Sequence, residues 1–272
     1  VALENPHGPV QRVFDPEGRL IKEIQGETFV LENTYDLVGN RIERKTSLGN
    51  LVEYTYDKLD QVASVRINDG EPIRMERDAA GQLVRETLAP GVVRKLAYSD
   101  DGFLTEQSVA ASAGPSFSTR FEYDRAGNLT RRSDSQFGTD AYKYDPMGRI
   151  LEHLDPQGKL TGYLNDPAGD RLRTRSLGAG DDWRREGEHE GTFYRFDRAG
   201  NLVQRRDAER DLELDWDANQ RLVESRNHGQ PTRYGYDPLG RRLFKETAGV
   251  RTLFFWDGDA LVGETLVDAV EP

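Results

Sequence analysis

Apolar and polar residues alternate in short runs along this chain and nowhere follow a helical rhythm. Around residue 55, Val52, Tyr54 and Tyr56 alternate with Glu53 and Thr55. Ten residues on, Ala63, Val65 and Ile67 alternate with Ser64 and Arg66. A period of two bounded by turn formers predicts strands with one apolar face. The runs are parted by Asp57-Lys58-Leu59-Asp60 and followed by Asn68-Asp69-Gly70, so each pair reads as a hairpin. Two strands of roughly 6–7 residues plus two turns fill about 21 residues. Gly or Pro interrupts every window long enough for a helix, so negligible helix is expected.

The turns recur as a ruler. A motif aromatic-Asp-x-x-Gly-(Asn/Arg/Gln)-(Leu/Ile/Val) has copies at Phe14-Asp15, Tyr35-Asp36, Tyr123-Asp124, Tyr144-Asp145 and Tyr236-Asp237, the second and fifth with Arg41 and Arg242 in the last place. The motif position falls at Asp15, Asp36, Asp57, Asp78, Ser99, Asp124, Asp145, Asp166, Asp197, Asp217, Asp237 and Asp257. The steps are 21, 21, 21, 21, 25, 21, 21, 31, 20, 20 and 20 residues. A fixed period marks an array whose units bury their faces against neighbours. Asp at the turn entrance accepts backbone N–H groups two residues on, and Gly three residues later permits the positive φ of a tight turn. Pro after Asp, as at Pro16, Pro146 and Pro238, presets φ. Asn219-Gln220 replaces the expected x-Gly and is expected to loosen the turn at Asp217. Same-face aromatics, Tyr54/Tyr56, Phe121/Tyr123, Tyr142/Tyr144 and Tyr234/Tyr236, are expected to form a cross-strand ladder.

The fold class that follows is all-β: tandem hairpin repeats of about 21 residues in one continuous array over residues 1–272. Some two dozen strands at about 4.8 Å spacing make a ribbon roughly 115 Å wide. Open twisted sheets seldom exceed about ten strands without curling. A curved, spiralling sheet around a cavity is therefore expected.

Composition narrows the chemistry. The 272 residues are 36% hydrophobic and 31% charged, lean for a compact globule and suited to a sheet with a wet face. A net charge of −11 argues against nucleic acid as partner. No stretch approaches 18 consecutive apolar residues, so no membrane-spanning helix is expected, and no signal peptide is seen in this segment. The chain begins at Val1 and stops at Pro272 in mid-pattern, which reads as a piece of a longer protein. With no Cys there are no disulfides and no thiolate metal sites.

Candidate sites fare poorly against that background. His7, His153, His189 and His228 show no metal-ligand spacing, and Glu188-His189-Glu190 reads as a solvated loop. Ser99-Asp100-Asp101-Gly102 and Asn68-Asp69-Gly70 read as Asx-type turns rather than calcium loops. No pair of carboxylates stands apart from the repeat, so no enzyme is expected: no catalytic, cofactor-binding or metal residue is assigned, and no cofactor. Arg131/Arg132 and Arg171/Arg173/Arg175 read as solvated strand faces with ion pairs. Two insertions, about 108–118 and 176–192, fall on loops; Trp183 in the second is a candidate anchor for a partner.

The Tyr-Asp dipeptides at 35–36, 56–57, 123–124, 144–145 and 236–237 make the chain resemble the Rhs/YD-repeat proteins over essentially its whole length. The stretch from Tyr236 to Glu264 looks like the late part of a bacterial Rhs core. The resemblance implies a segment of a hollow β-cocoon that encapsulates a C-terminal toxin until delivery. It implies the remainder of the shell, the toxin domain and secretion-apparatus proteins as partners, and an exported bacterial protein, as in type VI effectors. Insecticidal toxin complexes and teneurins carry related shells. The family's cleaved core end closes in Asp-Pro-x-Gly-Leu. Here Asp237-Pro238-Leu239-Gly240 is followed by Arg241, so no autoprotease residue is carried over. The rival reading is a surface module that binds glycan or a receptor through exposed aromatic ladders.

Overall fold

The computed structural model describes residues 1–26, 28–114, 116–165, 171–172, 186–189 and 191–268. Among these there are strands and turns and no helix, as the period-2 pattern requires. Sixteen strands, from Ala2–Leu3 to Leu160–Gly162, hydrogen-bond in chain order as one antiparallel sheet. Nine more, from Glu186–His189 to Ala260–Asp268, form a second, and Leu164–Asn165 pairs with Arg171–Leu172. The chain divides into two compact units: residues 1–51 with 180–272, and residues 52–179.

One local geometry closes the hairpins at the motif turns. At the motif turn the Asp N–H donates to the carbonyl four residues on, and the N–H three residues on donates back to the Asp carbonyl. At Asp145 these bonds are 2.9 Å to Arg149 O and 3.0 Å from Gly148 N. This is a type I turn closed by a residue at positive φ, with Gly148 at φ 77° and Gly127 at 83°. The ladder then skips one residue. Lys143 pairs with Glu152, but Tyr144 pairs with Ile150, leaving Leu151 unpaired. The same bulge stands between Thr34 and Tyr35, Glu122 and Tyr123, and Gly235 and Tyr236.

The turn at Asp217 is not loosened. Gln220 takes φ 59° itself, its N–H reaches Asp217 O at 3.0 Å, and Arg221 N–H still bonds the Asp217 carboxylate at 2.9 Å. The missing Gly is met by backbone strain at one residue rather than by opening the turn. At Asp257 the ruler does break. Asp257 pairs directly with Ala260 across a two-residue turn, so the last copy is one residue shorter than its predecessors. The four extra residues before Asp124 lengthen a hairpin, whose first strand, Leu104–Ala111, runs to 8 residues.

The core is thin. Among the described residues the buried apolar side chains are Val10, Phe29, Leu31, Val52, Tyr236 and Phe255, while Glu23, Gln25, Glu86, Asp140, Asp237 and Arg241 are buried polar groups. Side-chain hydrogen bonds therefore share the task of joining hairpins.

Candidate functional site

Two arrangements of side chains stand out, one repeated along the array and one confined to a single place.

The repeated one begins where backbone pairing stops. Strands joined by the second turn of each unit separate toward the motif edge: Arg131 and Ala141 are the last pair there between strands Leu129–Asp134 and Gly138–Tyr144. Beyond that pair the aromatic before the motif Asp bridges the gap. Tyr144 Oη donates to Leu129 O at 2.7 Å, Tyr35 to Leu20 O at 3.0 Å, Tyr98 to Leu83 O at 3.0 Å and Tyr236 to Leu222 O at 2.8 Å. Trp216 and Trp256 do the same through Nε1, each at 2.8 Å, to Leu202 O and Arg242 O. Arg77, standing in the aromatic's place, reaches Val62 O with Nη1 at 2.6 Å. The acceptor is always five residues after the preceding motif Asp. Burial holds the Tyr35 and Tyr144 phenols above their ordinary pKa, which keeps them protonated as donors.

The motif carboxylate is equally committed. One oxygen of Asp145 accepts the N–H groups of Met147 and Arg149, each at 2.9 Å, and the other accepts Arg149 Nε at 2.6 Å. Asn128 replaces Arg at the corresponding position and reaches Asp124 with Nδ2 at 3.0 Å. Where that fourth position after Asp is Asn or Arg, its side chain reaches the second carboxylate oxygen; Gln61 and Gln82 in the same place bond the carboxylate through their backbone N–H. These bonds, led by the Gln61 N–H at Asp57 and by the Asn128 side chain at Asp124, hold the carboxyls below their ordinary value.

The singular arrangement lies within the unit formed by residues 1–51 and 180–272. Phe29 stacks on Phe255 with ring centroids 4.5 Å apart, beside Leu31, Leu253 and Val262. Around this apolar contact runs a buried polar seam. Arg241 keeps its motif bond to Asp237 Oδ2 at 2.7 Å, and also reaches Glu23 Oε1 at 2.9 Å and Gly258 O at 3.0 Å. Glu23 Oε2 takes Arg12 Nε at 2.6 Å. Gln25 Nε2 donates to Trp256 O at 2.6 Å, and Trp256 N–H donates to Gln25 Oε1 at 3.0 Å. Asp257, freed from the usual turn, bridges Arg41 Nη1 at 2.9 Å and Arg44 Nη1 at 3.2 Å. The partners lie 213 to 231 residues apart in sequence. Periodicity carries no signal of such a contact. The one local hint is that Asp257-Gly258-Asp259 departs from Asp-x-x-Gly.

The other candidates resolve singly. His7 meets the Phe244 ring edge-on at 5.7 Å, His153 Nε2 contacts Asp140 Oδ1 at 2.8 Å, and His228 Nε2 lies 2.9 Å from Glu209 O. Among the described residues no group of three His, Asp or Glu could hold a metal. Ser99–Gly102 is a turn, with Gly102 N–H on Ser99 O at 2.9 Å. In Asn68–Gly70, the Gly70 N–H bonds Ile67 O at 3.0 Å. Arg131 and Arg132 face Glu122 and Asp140 at 3.9 and 3.1 Å. Trp183, Glu190, Arg173 and Arg175, and most of the 176–192 insertion, lie outside the described residues. Among the described residues no helix is long and apolar enough to cross a membrane.

Comparison with known proteins agrees with this geometry. The model of the family described as Teneurin YD-shell matches residues 92–259. The chain is 29% identical, over 93% of its length, to a probable deoxyribonuclease RhsB of Dickeya dadantii. It is 28% identical over 85% to toxin protein Tse5 of Pseudomonas aeruginosa, and 29% identical over 94% to double-stranded DNA deaminase toxin A of Burkholderia cenocepacia. It spans 19%, 23% and 21% of those proteins, so it matches about a fifth of each. Among solved structures, a crystal structure of TcdB2-TccC3 superposes with a TM-score of 0.52 at 15% identity, covering 95% of this chain and 16% of that one. At that identity the likeness is one of fold.

Proposed function

Because the chain belongs to the teneurin YD-shell family, we propose that it is a wall segment of a bacterial Rhs-type shell. In this reading the hairpin array is one continuous, spiralling stretch of a hollow cocoon. It sequesters a toxic domain carried elsewhere in the full-length protein until that protein is exported and delivered. Its partners are the rest of the shell, the enclosed domain and the secretion apparatus. The segment itself catalyses nothing and needs no cofactor. The relatives named for deoxyribonuclease or deaminase activity are about five times longer than the part matched here.

The observation that carries the reading is the fate of the aromatic ladder. A glycan-binding surface needs aromatic faces and free hydroxyls at its rim. Here the motif hydroxyls of Tyr35, Tyr98, Tyr123, Tyr144 and Tyr236 are consumed by backbone carbonyls of the neighbouring hairpin. They are wall contacts, which a shell requires and a lectin-like module does not.

The test is limited proteolysis of the full-length protein. The enclosed domain is expected to resist protease when the shell is intact and to be digested rapidly when residues 1–272 are deleted. Equal digestion of the two would eliminate enclosure and favour the surface-binding alternative, for which glycan binding by the intact protein is the direct assay.

A further inference from the structure

We infer that the buried charges between the first and last hairpins are a register key: they select which hairpins dock, and where along the strands. The inference concerns the seam alone and does not depend on what the array encloses.

Every unit offers the same alternating apolar face, and apolar contact is non-directional. Sliding one hairpin face past the other by two residues, or by a whole repeat, keeps apolar side chains inward. The Phe29–Phe255 stack alone therefore specifies the contact poorly. Buried ions do specify it, because a misplaced charge is left unpaired in a dry site.

The sequence is arranged to punish slippage. Glu23 stands eight residues after its motif Asp, and the same position one repeat later is Arg44. A slip of one repeat would set Arg44 against Arg241 instead of the 2.9 Å Glu23–Arg241 bond. It would also remove Arg44 from Asp257, where it now sits at 3.2 Å beside Arg41 at 2.8 Å. Asp257 is available for this pairing because its own turn is the shortened one. Glu23 and Arg241 side chains are 2% and 5% exposed, so bulk water cannot rescue either after a slip.

The test exploits the absence of cysteine from the chain. Leu48 Cδ1 lies 2.8 Å from where a Cβ on Gly263 would stand, so Leu48→Cys with Gly263→Cys reports the native register. Leu48→Cys with Thr265→Cys reports a slip of two residues. Each pair is built into the parent and into Glu23→Leu/Arg241→Asn. The Asn is chosen because Asn40 and Asn128 serve the same turn position elsewhere, which spares the turn. The ratio of 48–263 to 48–265 disulfide under oxidation is expected to fall severalfold in the double variant, with the β-sheet circular dichroism unchanged. An unchanged ratio with the sheet intact overturns the inference. Should the double variant lose its sheet signal, Glu23→Gln, which removes only the charge, is read by the same ratio and the same criterion.

Discussion

At the residue scale, the motif Asp is the most heavily used side chain in the array. Both of its oxygens are occupied at Asp15, Asp36, Asp124, Asp145, Asp197 and Asp217, and at these and at Asp57 its carboxyl is held below the ordinary value. A depressed folded-state pKa contributes stability above the unfolded-state value and loses it as pH falls through the folded one. The urea midpoint is therefore expected to be flat above about pH 5 and to drop steeply below about pH 4. Asp57→Asn together with Asp145→Asn should lower the neutral plateau and shallow the acid drop; an unaltered drop would show that other carboxyls govern it. A second expectation concerns the turn glycine. Gly127 has φ 83°, and a Cβ there would stand 2.9 Å from Phe103 Cζ. Gly127→Val should cost about 1–3 kcal/mol from backbone strain alone, whereas Arg125→Ala, in an exposed turn, should stay within about 0.5 kcal/mol. Equal denaturation midpoints would refute this turn geometry.

At the element scale, each motif hairpin is tied to the one before it by a short backbone ladder that a side chain extends toward the motif edge. Tyr144→Phe removes the hydroxyl from Leu129 O without changing shape, and should cost about 0.5–1.5 kcal/mol in urea denaturation. Arg77→Met should cost a comparable amount through Val62 O. A null effect at both would mean that these carbonyls are satisfied by water. The hairpins were legible in the sequence because their determinants are local: alternation over six residues, Asp at the turn entrance, Gly three later. Two things were hidden for want of a contact to explain them. The choice of Asn or Arg after Gly makes sense once the second oxygen of Asp124 or Asp145 is seen to need a donor. Alternation places the Tyr of the dipeptide in a cross-strand ladder but does not show that its hydroxyl bonds a backbone carbonyl 15 residues back. Arg77 fits the second role and not the first.

At the scale of the whole molecule, the seam was invisible because contacts over 200 residues leave no trace in a 21-residue pattern. Its apolar centre is small, so single truncations there should be felt. Phe255→Ala is expected to cost about 3–5 kcal/mol in the unit that contains it. In hydrogen exchange, protection should fall in strands Phe29–Tyr35 and Val250–Asp257, while Leu83–Ala89 and Val92–Tyr98 in the other unit keep theirs. Uniform loss of protection would show the two units to be one cooperative body. The separation of 231 residues from Gln25 to Trp256 also sets a clock. Hairpins close from local contacts within microseconds of emerging from the ribosome, but Phe29 and Leu31 must wait for a partner that has not been made. At about 5–20 residues per second that wait lasts roughly 12–46 s. For that interval each nascent chain presents finished hairpins with an uncovered aromatic face, the kind of transiently exposed surface that chaperones shield from association with other chains.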